Sequence, residues 1–487
     1  MTSRLERITG QRLQSLNRLR ACGVNPYPHS YHPSHTTAEA ITLFEQGKSP
    51  GDISLAGRIM ARRKMGKIAF LDIRDASGKI QLCFRQDILG PQRYEFLQEI
   101  DIGDIVGVKG ELFRTKAGET SLDVSDYTML CKSLRPLPEK WHGLVDVEKR
   151  YRQRYLDLIS NQGARNIFIL RSRIITAIRD FLDSRGFMEV ETPVFHSQAG
   201  GALASPFLTH HHALDEGLYL RIALELHLKR LIVGGFERVY EIGRAFRNEG
   251  ISVKHNPEFT LLECYQSYSD YNDMMGLVEE MVSHIAREVL GDTRIQVDEN
   301  SIDLAPPWQR LCLRQAIEDC CGIDFEDHLD TLSLRSRMEE MGLEVDPAKE
   351  RGRLIDELIS TFVEPKLIQP TFLLDYPVEM SPLAKRKRDD DRLVERFEVF
   401  VNGMEIANAF TELNDPLEQR ERFGQQLEER DEEAEVADED FLEALEYGMP
   451  PTGGLGMGID RLVMLLTGQS SIREVILFPQ LRTKPKS

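Results

Sequence analysis

Residues 236–265, FERVYEIGRAFRNEGISVKHNPEFTLLECY, constrain the fold of this chain more than any other stretch. Val239, Tyr240 and Ile242 lead in strand-like fashion to Arg247-Asn248-Glu249. Gly250 and a loop follow, and His255-Asn256-Pro257-Glu258-Phe259 opens a second run, Thr260 to Tyr265. The pattern predicts two antiparallel strands joined by a long loop, with charges at fixed points on one face. The residue types suit a site for a nucleotide and a small acid. The Arg247 guanidinium forks towards a phosphate, Glu249 takes an amino group, Phe259 stacks on a base, and His255 reaches phosphate oxygens. The competing reading is a surface hairpin whose charges are simply solvated.

A chain of 487 residues exceeds what one core usually holds, so two or more domains are expected. No apolar run approaches the ~18 residues of a membrane span, so no membrane partner is expected. The amino-terminal MTSRLERITGQRLQSLNRLR is basic and amphipathic without an apolar signal core, which predicts a surface helix. The seven cysteines are scattered without a CxxC pair. That pattern fits reduced thiols in a cytoplasm, with no disulfide frame and no zinc site. A net charge of −18 argues against non-specific binding to nucleic acid but leaves room for local basic surfaces, such as Arg58, Arg62, Arg63, Lys64 and Lys67.

Residues 1–50 read as a helical arm and then a loop rich in Pro and His. From Ile53 come short alternating strands: ISLAGRIM, IAFLDIRD and KIQLCF, a short helix in PQRYEFLQEI, then DIVGVKGEL and SLDVSDYTML. Three strands, a helix and two strands is the order of a five-stranded OB-type barrel over 51–135, a fold that binds single-stranded nucleic acid by stacking and basic side chains. Phe70 is a candidate platform, with a core aromatic as the alternative; Gln81 is a candidate hydrogen-bonding partner. The proline-bearing LRPLPEK opens a stiff linker over 136–150. A larger domain then covers 151–487, so the whole is α+β.

In that domain RSRIITAIRDFLDSRGF places Ile174, Ile178, Phe181 and Leu182 on one helical stripe that Gly186 ends, a stripe that suits either the chain's own core or a contact with a second subunit. Gly200-Gly201-Ala202 is a turn that lets backbone approach closely. His210-His211-His212 invites a metal reading, but three adjacent residues of a strand cannot face one ion. Leu224 begins a helix whose Glu225 can enter a pocket while Leu226 and Leu228 pack. Residues 294–370 show helical patterns and read as a helical insertion. In RFEVFVNGMEIANAFTELNDP, Glu398, Glu405, Asn408 and Glu412 alternate with apolar residues, yet their spacing mixes strand faces unless a bulge intervenes. Glu428 to Asp440 reads as an acidic, solvated linker. A glycine-rich segment then feeds IDRLVMLLTG, with Arg461 in the first turn. A cation there is disfavoured by the helix dipole unless an anion lies close.

Three segments in order carry a resemblance: GFMEVETP at 186–193, the stretch 236–265, and GGLGMGIDR at 453–461. They resemble the three signature motifs of class II aminoacyl-tRNA synthetases in the form of the lysyl-tRNA synthetases, and the likeness covers nearly the whole chain. It implies an N-terminal OB-fold that reads the anticodon and a catalytic domain built on an antiparallel sheet. It implies ATP-dependent activation of L-lysine and transfer to tRNA(Lys), in a cytoplasmic homodimer with Pro193 at the subunit contact. Arg247 would bridge the α-phosphate and the substrate carboxylate, and Arg461 would hold the γ-phosphate. Glu249, His255 and Phe259 would complete the ATP site. Glu398 and Glu405 would hold Mg2+. Glu412 and Tyr265 would bind the side-chain ammonium of lysine, Glu225 and Gly201 its α-amino group, with Glu263, Asn408 and Phe410 lining the pocket. Arg63, Phe70, Gln81 and Glu119 would contact the anticodon.

The chain departs from the resembled pattern where Ser205 replaces an arginine, His212 an asparagine and Leu224 a proline. Aspartyl and asparaginyl enzymes share the fold, but an aspartyl site needs a cation where this chain has spare carboxylates. A protein-lysylating relative would lack the barrel. A non-catalytic tRNA-binding paralogue would tolerate loss of Arg247, Arg461 or the magnesium carboxylates, all of which are present.

Overall fold

The structure is a computed structural model, which describes residues 3–48, 51–138, 146–198, 200–201, 204–428 and 438–482. Ala202, the middle of the expected linker and most of the acidic run at 428–440 lie outside the described residues. The chain divides into two compact units, Met1–Val145 and Asp146–Ser487.

In the first unit, helix α1 (Arg4–Ala21) is opened by a capping box between Ser3 and Glu6. Helix α2 (Thr37–Glu45) occupies sequence expected to be loop. The signal was present: Thr36 and Glu39 form a second capping box, the S/T-x-x-E pattern that marks a helix start. Strands β1 (Ile53–Met65), β2 (Ile68–Arg74), β3 (Lys79–Arg85), β4 (Ile105–Arg114) and β5 (Thr120–Cys131) close in the order β1-β2-β3-β5-β4. Closure depends on β1, which pairs with β4 over Ile53–Arg58 and with β2 from Arg58 onward, with a register shift between Ile59 and Ala61 that bends it. Leu55, Ile59, Leu71, Ile73, Leu82, Val106, Val108 and Leu122 fill the interior with no exposure.

In the second unit, helix α3 (Gln162–Ser184) ends at Gly186, whose φ of +78° suits glycine. The central sheet has eight strands: β6 (Met188–Glu189), β7 (Arg238–Phe246), β8 (Glu258–Ser267), β9 (Gln309–Cys312), β10 (Thr371–Pro377), β11 (Leu393–Val401), β12 (Met404–Thr411) and β13 (Thr452–Gly458). Their order is β9-β10-β11-β12-β13-β8-β7-β6, antiparallel except at the two edges. Helices α4 (Glu225–Val233), α5 (Tyr271–Leu290) and α6 (Ile459–Thr467) flank it. Side chains of α3, α5 and α6 share one core with Leu262, Cys264, Leu455 and Met457 of the sheet. The stripe Ile174, Ile178, Phe181 and Leu182 belongs to this intrachain core and is not available to a second subunit.

The insertion packs on the edge of this sheet, where Leu313, Ile317, Leu334 and Leu354 of helices Leu313–Cys321, Thr331–Glu340 and Arg351–Leu358 share a core with Phe325, with Leu373 and Tyr376 of β10, and with Val394 and Phe400 of β11. Its amino-terminal part is not helical. Arg294–Val297 and Asn300–Asp303 form a hairpin, and Gln309–Cys312 is the sheet edge. No described helix is long and apolar enough to cross a membrane.

Candidate active site

Strand alternation divides the second sheet into a core face and a site face. On β8, Leu262 and Cys264 enter the core, while Phe259, Leu261, Glu263 and Tyr265 point the other way and line a cavity of about 1520 Å³. On β12 the register shifts between Val399/Ala407 and Phe400/Glu405, leaving Ile406 as the extra residue. That bulge is the one the sequence spacing required. It brings Glu405 onto the face of Asn408, Phe410 and Glu412, and Asn408 lies directly opposite Glu398. Strand β13 runs between them, with Gly454 opposite both Tyr265 and Phe410, and Gly456 opposite both Glu263 and Asn408. Its glycines keep the floor of the cavity clear of side chains, while Leu455 and Met457 enter the core.

One end of the cavity is acidic. Glu225, Glu263 and Glu412 are all buried there beside Tyr265. Glu263 accepts hydrogen bonds from the Tyr265 hydroxyl at 3.0 Å and the Leu224 backbone N–H at 3.0 Å. A proline at 224 has no such N–H to donate, so the Leu224 departure adds a contact. Burial first, and then the charge of Glu225, push the Glu263 carboxyl up to about 7. Burial also raises Glu412 well above the usual carboxylate range, against the pull of Lys229. Among the described residues, Oε1 of Glu412 has no hydrogen-bond partner. Gly201, with φ of +87°, lines the same end, and a Cβ there would come within 3.2 Å of the Ala223 Cβ.

The other end is cationic. Arg247 anchors its Nε on the Ile222 carbonyl at 3.4 Å, and its guanidinium lies 5.1 Å from the centroid of Phe259. Burial lowers its pKa, so its charge sits in a partly desolvated place where an anion gains most. Arg461 donates through Nη1 to the Glu405 carboxylate at 2.8 Å and carbonyl at 2.9 Å, and its Nη2 lies 3.2 Å from His255 Nε2. A guanidinium can only donate. His255 Nε2 is therefore an acceptor, and its Nδ1–H faces the Ser252 hydroxyl at 2.9 Å. Burial and the charge of Arg461 lower the His255 pKa, in agreement with the neutral ring. Glu249 stands exposed at the rim.

Glu398 accepts from the Tyr376 hydroxyl at 2.8 Å and from Arg396 at 2.7 Å. Its pKa is pushed up to about 7, by burial and also by the charge of Glu405. Two carboxylates that repel each other beside a cationic pocket form a hard-oxygen donor set, which fits a Mg2+ ion that takes its other ligands from water and phosphates.

In the barrel unit, Arg63 pairs with Phe70 across β1 and β2. Phe70 is half-buried and stands outside the barrel core, so the core-aromatic alternative does not hold. Gln81 donates to Glu119 at 2.9 Å and accepts from Ser121 at 3.1 Å, which fixes its amide beside Glu119. Pro193 is exposed next to Val194 and Phe195, which are 36% and 58% exposed.

Sequence reasoning missed several residues. Lys229 could have been found as the i+4 partner of Glu225 on one helix. Arg396 could have been found as the i+2 neighbour of Glu398 on one strand face, whereas Tyr376 comes from a different strand and carries no local signal. Asp460 accepts from the Thr260 N–H at 2.7 Å and from Arg171 at 2.6 Å, tying the helix that bears Arg461 to β8.

The comparisons with known proteins agree with this geometry. A family model described as tRNA synthetases class II (D, K and N) matches residues 146–482, and one described as an OB-fold nucleic acid binding domain matches 53–137. The chain is 58% identical to a lysine–tRNA ligase of Dehalococcoides mccartyi strain 195, over 98% of each chain. It is 57% identical to one from Moorella thermoacetica and 51% identical to one from Bacillus cytotoxicus, each over 97% of both chains.

Proposed function

We propose that the large cavity of this chain, which belongs to the class II tRNA synthetases among the lysine–tRNA ligases, seats lysine at its acidic end and ATP at its cationic end. The enzyme activates L-lysine with ATP and transfers it to tRNA. A lysine carboxylate oxygen attacks the α-phosphorus, the bond to the β-phosphate oxygen breaks, and pyrophosphate leaves. A hydroxyl of the tRNA terminal adenosine then attacks the lysyl carbonyl, and AMP leaves.

The first step needs alignment and charge neutralisation more than covalent help. Arg247 neutralises the α-phosphate and the lysine carboxylate together, and Phe259 beneath it stacks on the adenine. Glu249 accepts from the adenine amino group. Arg461 binds the γ-phosphate, with His255 beside it holding the guanidinium from Nε2. Glu398 and Glu405 would hold Mg2+, which when bound would supply charge neutralisation for the phosphates. Glu412 and Tyr265 take the side-chain ammonium of lysine, Glu225 and Gly201 its α-amino group, and Glu263, Asn408 and Phe410 shape the pocket. Burying carboxylates without a cation is costly, so neutral analogues are rejected. The barrel reads the anticodon of tRNA(Lys) through Arg63, Phe70, Gln81 and Glu119. The enzyme acts in the cytoplasm as a homodimer, with the exposed surface at Pro193, Val194 and Phe195 in the subunit contact.

The observation that carries this reading is the charge division of the cavity: the buried carboxylates Glu225, Glu263 and Glu412 at one end, the guanidinium groups of Arg247 and Arg461 at the other. The test is ATP–pyrophosphate exchange with each amino acid in turn, without tRNA and with Mg2+. Exchange with lysine alone is expected. Exchange with aspartate or asparagine would overturn the substrate assignment.

A further inference from the structure

Lys229 lies on α4, one turn beyond Glu225, and its side chain is wholly buried. Its ammonium contacts Glu225 at 2.5 Å and also Glu412. It sits 5.5 Å from the ring centroid of Phe410 and 6.0 Å from that of Phe441, so aromatic faces close the sides that carboxylates do not. One built-in cation thus joins two carboxylates assigned to different ends of the bound lysine. Burial works against that ammonium, but the charges of Glu225 and Glu412 outweigh it and raise its pKa. Of the two Glu412 oxygens, Oε2 meets Lys229, while Oε1 remains without a hydrogen-bond partner among the described residues.

Charge counting gives this arrangement a purpose. With lysine bound and all three carboxylates ionised, Glu225, Glu263 and Glu412 bring three negative charges, and Lys229 removes one, which leaves two. Free lysine brings two ammonium groups to this end of the cavity, and its carboxylate is left to Arg247. Without Lys229 the pocket would hold one charge too many, and mutual repulsion would drive Glu225 and Glu412 apart or leave one protonated. With it, the anchor for the α-amino group and the anchor for the ε-ammonium are held from a single point.

We propose that Lys229 is a specificity-determining positioning residue: a resident counter-ion that matches the pocket to a diamine and fixes the spacing between the two ammonium subsites. The proposal rests on the lysine reading of the site. It predicts that Lys229 governs discrimination by chain length as well as affinity, although it does not itself touch the substrate.

The experiment compares wild type with Lys229→Met in ATP–pyrophosphate exchange, using lysine and ornithine, which is one methylene shorter. The variant is expected to raise KM for lysine about 10- to 100-fold, as for loss of a charge-assisted contact. KM for ATP should stay within about twofold, and the preference for lysine over ornithine should shrink by at least about tenfold. If Lys229→Met does not fold, Lys229→Gln takes its place; it leaves Glu225 and Glu412 intact, keeps a hydrogen-bond donor beside them without the charge, and should still lose chain-length discrimination. Unchanged KM for lysine and unchanged ornithine discrimination in either folded variant would overturn the proposal. So would a parallel rise in KM for lysine and ATP, which marks a merely structural residue. Absence of lysine-dependent exchange by wild type would instead remove the lysine reading beneath it.

Discussion

Gly454 faces Glu412 with no room for a side chain: a Cβ at 454 would lie 1.8 Å from Oε1 of Glu412 and 2.6 Å from Cε1 of Tyr265. Both neighbours are buried, so neither can move aside into solvent. Gly454→Ala is therefore expected to displace the acidic end of the cavity while leaving the phosphate end in place. Its kcat/KM for lysine should fall by about 10- to 100-fold, the usual cost of overpacking converted to a rate ratio. KM for ATP should change little. A variant that activates lysine normally would show that Glu412 and Tyr265 do not form the subsite.

Arg247 is half-buried at the cationic end of the cavity, held by the Ile222 carbonyl and Phe259. Arg247→Ala removes the group assigned to both reacting partners. Adenylate formation should drop by about 100- to 1,000-fold or more, as for loss of a preorganised donor at a developing charge. Single-turnover formation of lysyl-adenylate measures this step directly. Near-normal rates would refute the role given to Arg247.

Phe70 stands half-buried on the barrel surface next to Arg63. Phe70→Ala should weaken tRNA charging about 5- to 100-fold, the range for one stacked base, while lysine-dependent exchange without tRNA stays at the wild-type rate. An equal fall in both reactions would contradict an anticodon role.

The acidic pocket predicts a pH effect of defined sign. The Glu263 carboxyl is raised from an ordinary value of 4.5 to about 7, and Glu412 is raised as well. In the free protein these groups hold protons that the unfolded chain would already have released. Their contribution therefore lowers folding stability as pH rises from 4.5 through about 7. A bound diammonium substrate favours the ionised carboxylates, so lysine binding should release protons in that window, and affinity should climb with pH and level off above it. Calorimetry with lysine and no ATP, in buffers of different ionisation enthalpy, reads the proton count. Proton uptake would be the wrong sign.

How much of this could be read in advance depended on whether the information was local. The β7–loop–β8 hairpin was legible because strand period and turn residues lie in one continuous stretch. The barrel was legible because its five strands follow one another with a helix in its expected place. Helix α2 was readable from Thr36 and Glu39 but was hidden by the surrounding prolines and histidines. The stripe on α3 could be recognised as apolar, yet whether it met the chain's own sheet or a second subunit required the fold.

The sequence by itself determined the elements, the two-domain order and the residues with chemistry to offer, because propensity, period and motif spacing are properties of neighbours along the chain. Only the tertiary structure decided which of them meet. The bulge at Ile406 brings Glu405 to the face of Asn408 and Glu412, a matter of register between strands that no single strand encodes. Tyr376 meets Glu398 across neighbouring strands, and Lys229 meets Glu412 across 183 positions of chain, because sheet order and helix packing put them there. Burial then sets their charges, and burial exists only once the chain has folded around them.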